Sequence, residues 1–155
     1  MKFRIYIDTS VIGGCEDEEF SPWSRRLFEE FRKGLRIAVV SDLTRRELEK
    51  APEGVRKILL SLPDTSVEKV FLTKEAETLA TSYVDEGVVS EKHIADAQHI
   101  AIASVERVDV LVSPELSGQI VNIDRIHAFN SVNLKLGYPI LEIRSPREVI
   151  HEKEV

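Results

Sequence analysis

Three carboxylates stand where a soluble fold does not by itself require them. Asp8 follows the apolar run Ile5-Tyr6-Ile7 and is followed by two hydroxyl residues, Thr9 and Ser10. A strand ending in an acid puts that acid at the C-terminal edge of its sheet, where ligands of open α/β sheets collect. An acid there acts as a metal ligand, as a nucleophile or as the N-cap of the next turn. Glu47 lies in a helical segment that follows an apolar run at 35–40, and Asp96 lies among Ile94, Ala95, Ala97, Ile100 and Ala101. A buried acid on such a surface needs a cation, a hydrogen-bond partner or solvent. His93 and His99 each stand three residues from Asp96 and share a helix face with it. That spacing offers His99 as a ligand of a transition metal, against the plainer reading of histidines at the edge of a core. Asp8 as a cap and Glu47 paired in solvent with Arg46 or Lys50 are the corresponding plain readings.

Other chemistries are excluded by what is missing. Gly13-Gly14 makes no dinucleotide fingerprint, and no phosphate-binding G-x-x-x-x-G-K-[ST] loop is present. A phosphoaspartyl phosphatase wants a second Asp two residues after the first, where Ser10 stands, and no G-x-S-x-G elbow occurs. Cys15 is the single cysteine, which removes an internal disulfide and a cysteine-based zinc site. The net charge of −6 argues against a broad basic face for nucleic acid, but is compatible with an enzyme whose own metal-binding acids lower the charge.

The elements that position these residues alternate along the chain. Strands are expected at 3–7, 35–40, 67–72, 108–112 and 140–143. Ser21-Pro22 opens a helix through Trp23, Leu27, Phe28 and Phe31 that stops at Gly34. Ser41 or Asp42 caps the helix carrying Glu47, and Pro52 opens the next. Thr73 caps a helix ending at Gly87, Ser90 caps the helix carrying Asp96, a helix at 123–136 ends at Gly137, and Ser145-Pro146 opens a short terminal turn. Strands separated by helices imply βαβ units and a parallel sheet covered on both faces. At 155 residues, 43% hydrophobic and 31% charged, the chain suits one globular domain over 1–150 with a short tail at 151–155. No run approaches a membrane span, and the N-terminal segment alternates like a strand rather than a signal peptide, so a cytoplasmic protein is expected.

Asp8-Thr9-Ser10, the segment Ser41-Asp42-Leu43-Thr44-Arg45-Arg46-Glu47-Leu48, and Ala95-Asp96-Ala97-Gln98-His99-Ile100-Ala101 together resemble the PIN-domain nucleases, including the VapC-like toxin ribonucleases. The order and spacing of strands and helices agree along nearly the whole chain. The resemblance implies a three-layer α/β/α sandwich on a parallel sheet of four to five strands. It also implies a ribonuclease that cuts single-stranded RNA with Mg²⁺ or Mn²⁺, an antitoxin protein as partner, and a homodimer. Asp8, Glu47 and Asp96 then fill the first three acidic metal and catalytic positions, with Ser10 and Thr9 beside them, and Arg46 and His99 as lesser candidates. Where such proteins place a further acid, or the Asn of a Trp-Asn pair, this chain reads Ser113-Pro114-Glu115, so Glu115 is a candidate substitute whose longer side chain and preceding Pro change the geometry. Two rival readings follow: a PIN-fold binding or scaffold protein that has lost its fourth ligand, and a different metal-dependent phosphohydrolase acting on a small phosphate ester.

Overall fold

The computed structural model describes residues 2–16, 21–113 and 123–152. Five strands, β1 (Arg4–Tyr6), β2 (Ile37–Ser41), β3 (Val67–Val70), β4 (Val110–Val112) and β5 (Ile143–Arg144), form one sheet in the order β3-β2-β1-β4-β5, every pairing parallel. The chain builds outward from β1 to β2 and β3, then returns to the other side of β1 for β4 and β5. The topological switch point, where open sheets form their crevice, therefore lies between β1 and β4.

Helices cover both faces, giving the three-layer α/β/α sandwich. They are α1 (Thr9–Gly13), α2 (Ser21–Arg32), α3 (Asp42–Leu48), α4 (Glu53–Leu60), α5 (Lys74–Asp85), α6 (Ile94–Val105), α7 (Ile123–Lys135) and α8 (Pro146–Glu152). Alternation along the strands divides the core in two. Tyr6, Val39 and Leu111 pack under α5, α6 and α7 with Leu79, Tyr83, Ile100 and Phe129. Ile5, Ile7, Ala38, Val40 and Val112 pack on the other face with Val11, Leu27, Phe28, Phe31 and Val149. Among the described residues, no helix is long and apolar enough to cross a membrane.

Apart from shifted strand ends, among them the last strand, expected at 140–143 and found at Ile143–Arg144, the structure differs from the sequence reading in three places. A short helix, α1, follows Asp8 directly, because the Asp8 carboxylate accepts the Val11 N–H at 3.0 Å and caps it. The helix of Asp96 is entered through a single 3₁₀ turn at Glu91–His93 in which the Ser90 side chain makes no capping bond. After Ser145 the chain forms the helix α8 rather than a turn, since Ser145 and Glu148 cap it reciprocally, Glu148 N to Ser145 Oγ and Ser145 N to Glu148 Oε1, both 3.2 Å.

Candidate active site

Register carries the polar residues to one edge. Tyr6 pairs with Val39 on one side and Leu111 on the other. Continued by two residues, the same register sets Asp8 beside Ser41 and Ser113, on the face that α5 and α6 cover. Asp8, Ser41 and Ser113 are all buried. A row of polar residues thus crosses the C-terminal ends of β2, β1 and β4, spanning the switch point.

Glu47 reaches this row through a chain of hydrogen bonds. Its Oε1 lies 2.8 Å from His99 Nε2, and His99 Nδ1 lies 2.6 Å from the Tyr6 hydroxyl. That hydroxyl is 2.8 Å from Ser41 Oγ, which accepts the Thr44 N–H at 3.1 Å, and Thr44 Oγ1 donates to the Ile7 carbonyl at 3.3 Å. A carboxylate only accepts, so Nε2 carries a proton toward Glu47. In the neutral imidazole Nδ1 then accepts from Tyr6. Burial pushes the Tyr6 hydroxyl well above the ordinary tyrosine range, which keeps its proton in place. Both ring nitrogens of His99 are occupied, and the ring is 3% exposed. His99 therefore orients Glu47 in this conformation and has no nitrogen left to ligate a metal.

Asp96 sits in the first turn of α6, its Oδ2 3.8 Å from His93 Nδ1. Burial raises the Asp8 carboxyl above its ordinary value, with the charges of Glu47 and Asp96 adding to the rise while His99 and the Val11 N–H oppose it. Burial likewise raises Asp96, Glu47 adding to it and the two histidines opposing. Acids from the cap of α1, from α3 and from α6 therefore share one electrostatic neighbourhood. Their side chains do not form a finished coordination shell: among the described residues no three His, Cys, Asp or Glu groups are arranged to hold one ion. Glu47 is turned to His99 and Asp8 to its own helix. The donor chemistry nonetheless fits a hard divalent cation, since three mutually repelling carboxylates in a partly desolvated crevice are what such an ion relieves.

The other candidates are placed as follows. Thr9 Oγ1 donates to the Thr44 carbonyl at 3.4 Å and ties α1 to α3, while Ser10 is exposed in the first turn of α1. Arg46 lies on the surface of α3, 3.9 Å from Asp42. Glu115 lies outside the described residues. Ser113, by contrast, is fully buried, and its Oγ has no hydrogen-bond partner among the described residues. Its place beside Asp8, and the roles of Tyr6, Ser41 and Thr44, escape a reading that looks for acids. The signal for them is parity: hydroxyl residues end β1 and β2 and follow β4 on one face.

No protein-family model matches the chain, and no curated protein does. Solved structures do. VapBC2 from Rickettsia felis, bound to a DNA fragment from its promoter, superposes with a TM-score of 0.58 at 14% identity, over 92% of this chain and 98% of the other. VapC20 from Mycobacterium tuberculosis, described as a toxin that cleaves the sarcin-ricin loop, superposes with a TM-score of 0.52 at 16% identity, over 69% of this chain and 86% of the other. At these identities the likeness is one of fold, and the fold is the PIN-like one of the VapC toxins.

Proposed function

We propose that this chain is a metal-dependent endoribonuclease of toxin type that cuts phosphodiester bonds of single-stranded RNA. The observation that supports the reading is the shared electrostatic neighbourhood of Asp8, Glu47 and Asp96, from three separate elements, near the switch point of a sheet folded like that of the VapC structures. These three acids would hold Mg²⁺ or Mn²⁺, which would supply charge neutralisation and Lewis acidity at the phosphate. The protein's own part is positional. Asp8 is fixed by its cap, Glu47 is oriented by His99, and Thr9 locks α1 against α3. Ser10, exposed at the rim, donates to a phosphate oxygen, and Arg46 lies on the approach surface. The partner is an antitoxin protein, the compartment is the cytoplasm, and the assembly is a two-fold dimer, the commonest soluble form. The apolar stretch of α2 does not speak for that dimer, because Leu27, Phe28 and Phe31 are buried inside the protomer.

One observation favours the rival reading of a non-catalytic module: no three ligands are arranged as a shell among the described residues. A single experiment separates the readings. The protein is incubated with single-stranded RNA, single-stranded DNA and p-nitrophenyl phosphate across a titration of Mg²⁺ and Mn²⁺. Metal-dependent RNA cleavage abolished by Asp8→Asn, Glu47→Gln or Asp96→Asn supports the ribonuclease. Turnover of p-nitrophenyl phosphate alone indicates the phosphohydrolase, and binding of RNA without cleavage at any metal concentration indicates the module.

A further inference from the structure

Beside the acid site lies an open surface pocket of about 440 Å³ that no element of the mechanism uses. Its walls combine Val84, Val88 and Val89 with Ser90, His93 and Arg125. From these we infer that it is a slot for one unpaired nucleobase of the RNA, the base next to the phosphate held at the acids. The inference rests on the ribonuclease reading and specifies its substrate contact. The volume falls within the range of small-ligand sites. Half-buried Val84 and Val88 offer apolar surface beside the buried Val89, and the imidazole and guanidinium offer planar groups on which single-stranded RNA bases stack. The edge of a base needs a hydrogen-bonding group, and Ser90 supplies one, because its hydroxyl is not engaged in capping the turn that follows it. Position joins the slot to the chemistry: His93, in the wall, has its Nδ1 3.8 Å from Asp96 Oδ2. A base held on His93 therefore brings its own phosphate to the side of the crevice where Asp96 stands. The slot also gives a chain of net charge −6 a way to hold RNA without a broad basic face, by stacking rather than by phosphate contacts alone.

The test uses the intact protein with its valine methyl groups labelled for NMR, titrated with adenosine and cytidine 5′-monophosphates and, separately, with ribose 5-phosphate. The expected result is movement of the Val84, Val88 and Val89 methyl resonances with the nucleotides and none with ribose 5-phosphate. His93→Ala should weaken nucleotide binding about tenfold, and Val88→Trp, which fills the slot, should remove it. Equal shifts with ribose 5-phosphate overturn the slot, as do wild-type affinities in both variants. Cleavage of RNA by the same preparation keeps the two ideas apart. If RNA is cut while the valines stay silent, the slot falls and the ribonuclease stands. If the valines respond and no RNA is cut, the slot stands and the ribonuclease falls.

Discussion

Tyr6→Phe removes one oxygen and tests whether the chain from Thr44 to Glu47 acts as a unit. The Tyr6 side chain is fully buried, and its hydroxyl joins Ser41 Oγ at 2.8 Å to His99 Nδ1 at 2.6 Å. Ser41 loses little, because it keeps the Thr44 N–H at 3.1 Å and the Thr44 hydroxyl at 3.3 Å. His99 Nδ1 loses the one partner it has, in a ring 3% exposed, and an orphaned buried polar group costs about 1–3 kcal/mol. Phenylalanine refills the ring volume, so no cavity contribution is added. A destabilisation of about 2 kcal/mol follows, which for a chain of this size lowers Tm by about 4–8 °C. Denaturant unfolding of wild type, Tyr6→Phe, His99→Leu and the double variant closes a cycle whose coupling should be about 1 kcal/mol or more if the groups act together. The loosened His99 should also release Glu47, so the variant's affinity for Mn²⁺ should fall about tenfold, as for other groups that orient a ligand. A loss of stability under about 0.5 kcal/mol, or strictly additive effects, would refute the argument that Tyr6 anchors the site.

Without divalent ions, the raised carboxyls of Asp8 and Asp96 make the native state bind protons that the unfolded state has released. Their contribution is most favourable below the ordinary carboxylate range, and it is lost as pH rises from there through the higher native values. Asp8→Asn keeps an oxygen for the Val11 N–H, so it should melt higher than wild type at pH 7, with the difference closing in acid; a variant less stable at both would contradict this. Saturating Mg²⁺ or Mn²⁺ should stabilise the wild type by about 2.7 kcal/mol at a hundred times Kd, read as a rise in Tm over a salt control of equal ionic strength, and Asp8→Asn should lose most of it. Gly14→Ala should cost about 1–3 kcal/mol in urea unfolding, since its Cβ would stand 2.8 Å from Oγ of the buried Ser24; a neutral effect would show that Ser24 swings aside.

The frame was open to reading because local chemistry and tertiary structure agree. Gly34, Gly87 and Gly137 were expected to stop three helices, and all three adopt positive φ, at 74°, 76° and 89°. The buried face of α2 follows from Leu27, Phe28 and Phe31, with Trp23 half-buried at its edge. Arg26 and Arg147 lie 6.0 and 5.9 Å over the Trp23 ring, the second of them from α8. α8 itself was missed because Ser-Pro reads equally as a turn or as a capped helix start, and what decides is the packing of Val149 and Ile150 into the core.

The site was legible only as far as its acids, for a physical reason. Carboxylates in apolar settings announce themselves, since burial without a partner is costly. Their partners are ordinary hydroxyls and a histidine whose significance depends on register between strands distant in sequence. His99 shows the limit. Its spacing from Asp96 on one helix suggested a shared ligand face, but the spacing says nothing about Tyr6, 93 residues away, or Glu47, 52 away, and these take both ring nitrogens. The parallel sheet supplies the missing information by placing Tyr6 one pleat below Asp8, under α6. The imidazole that turns toward Tyr6 on one side must then turn toward α3 on the other. An acid there is held through one oxygen, Glu47 Oε1 on His99 Nε2 at 2.8 Å, which in the proposed reading leaves its second oxygen for the ion. The proposed three-acid site therefore stands or falls on Glu47 rather than on Glu115.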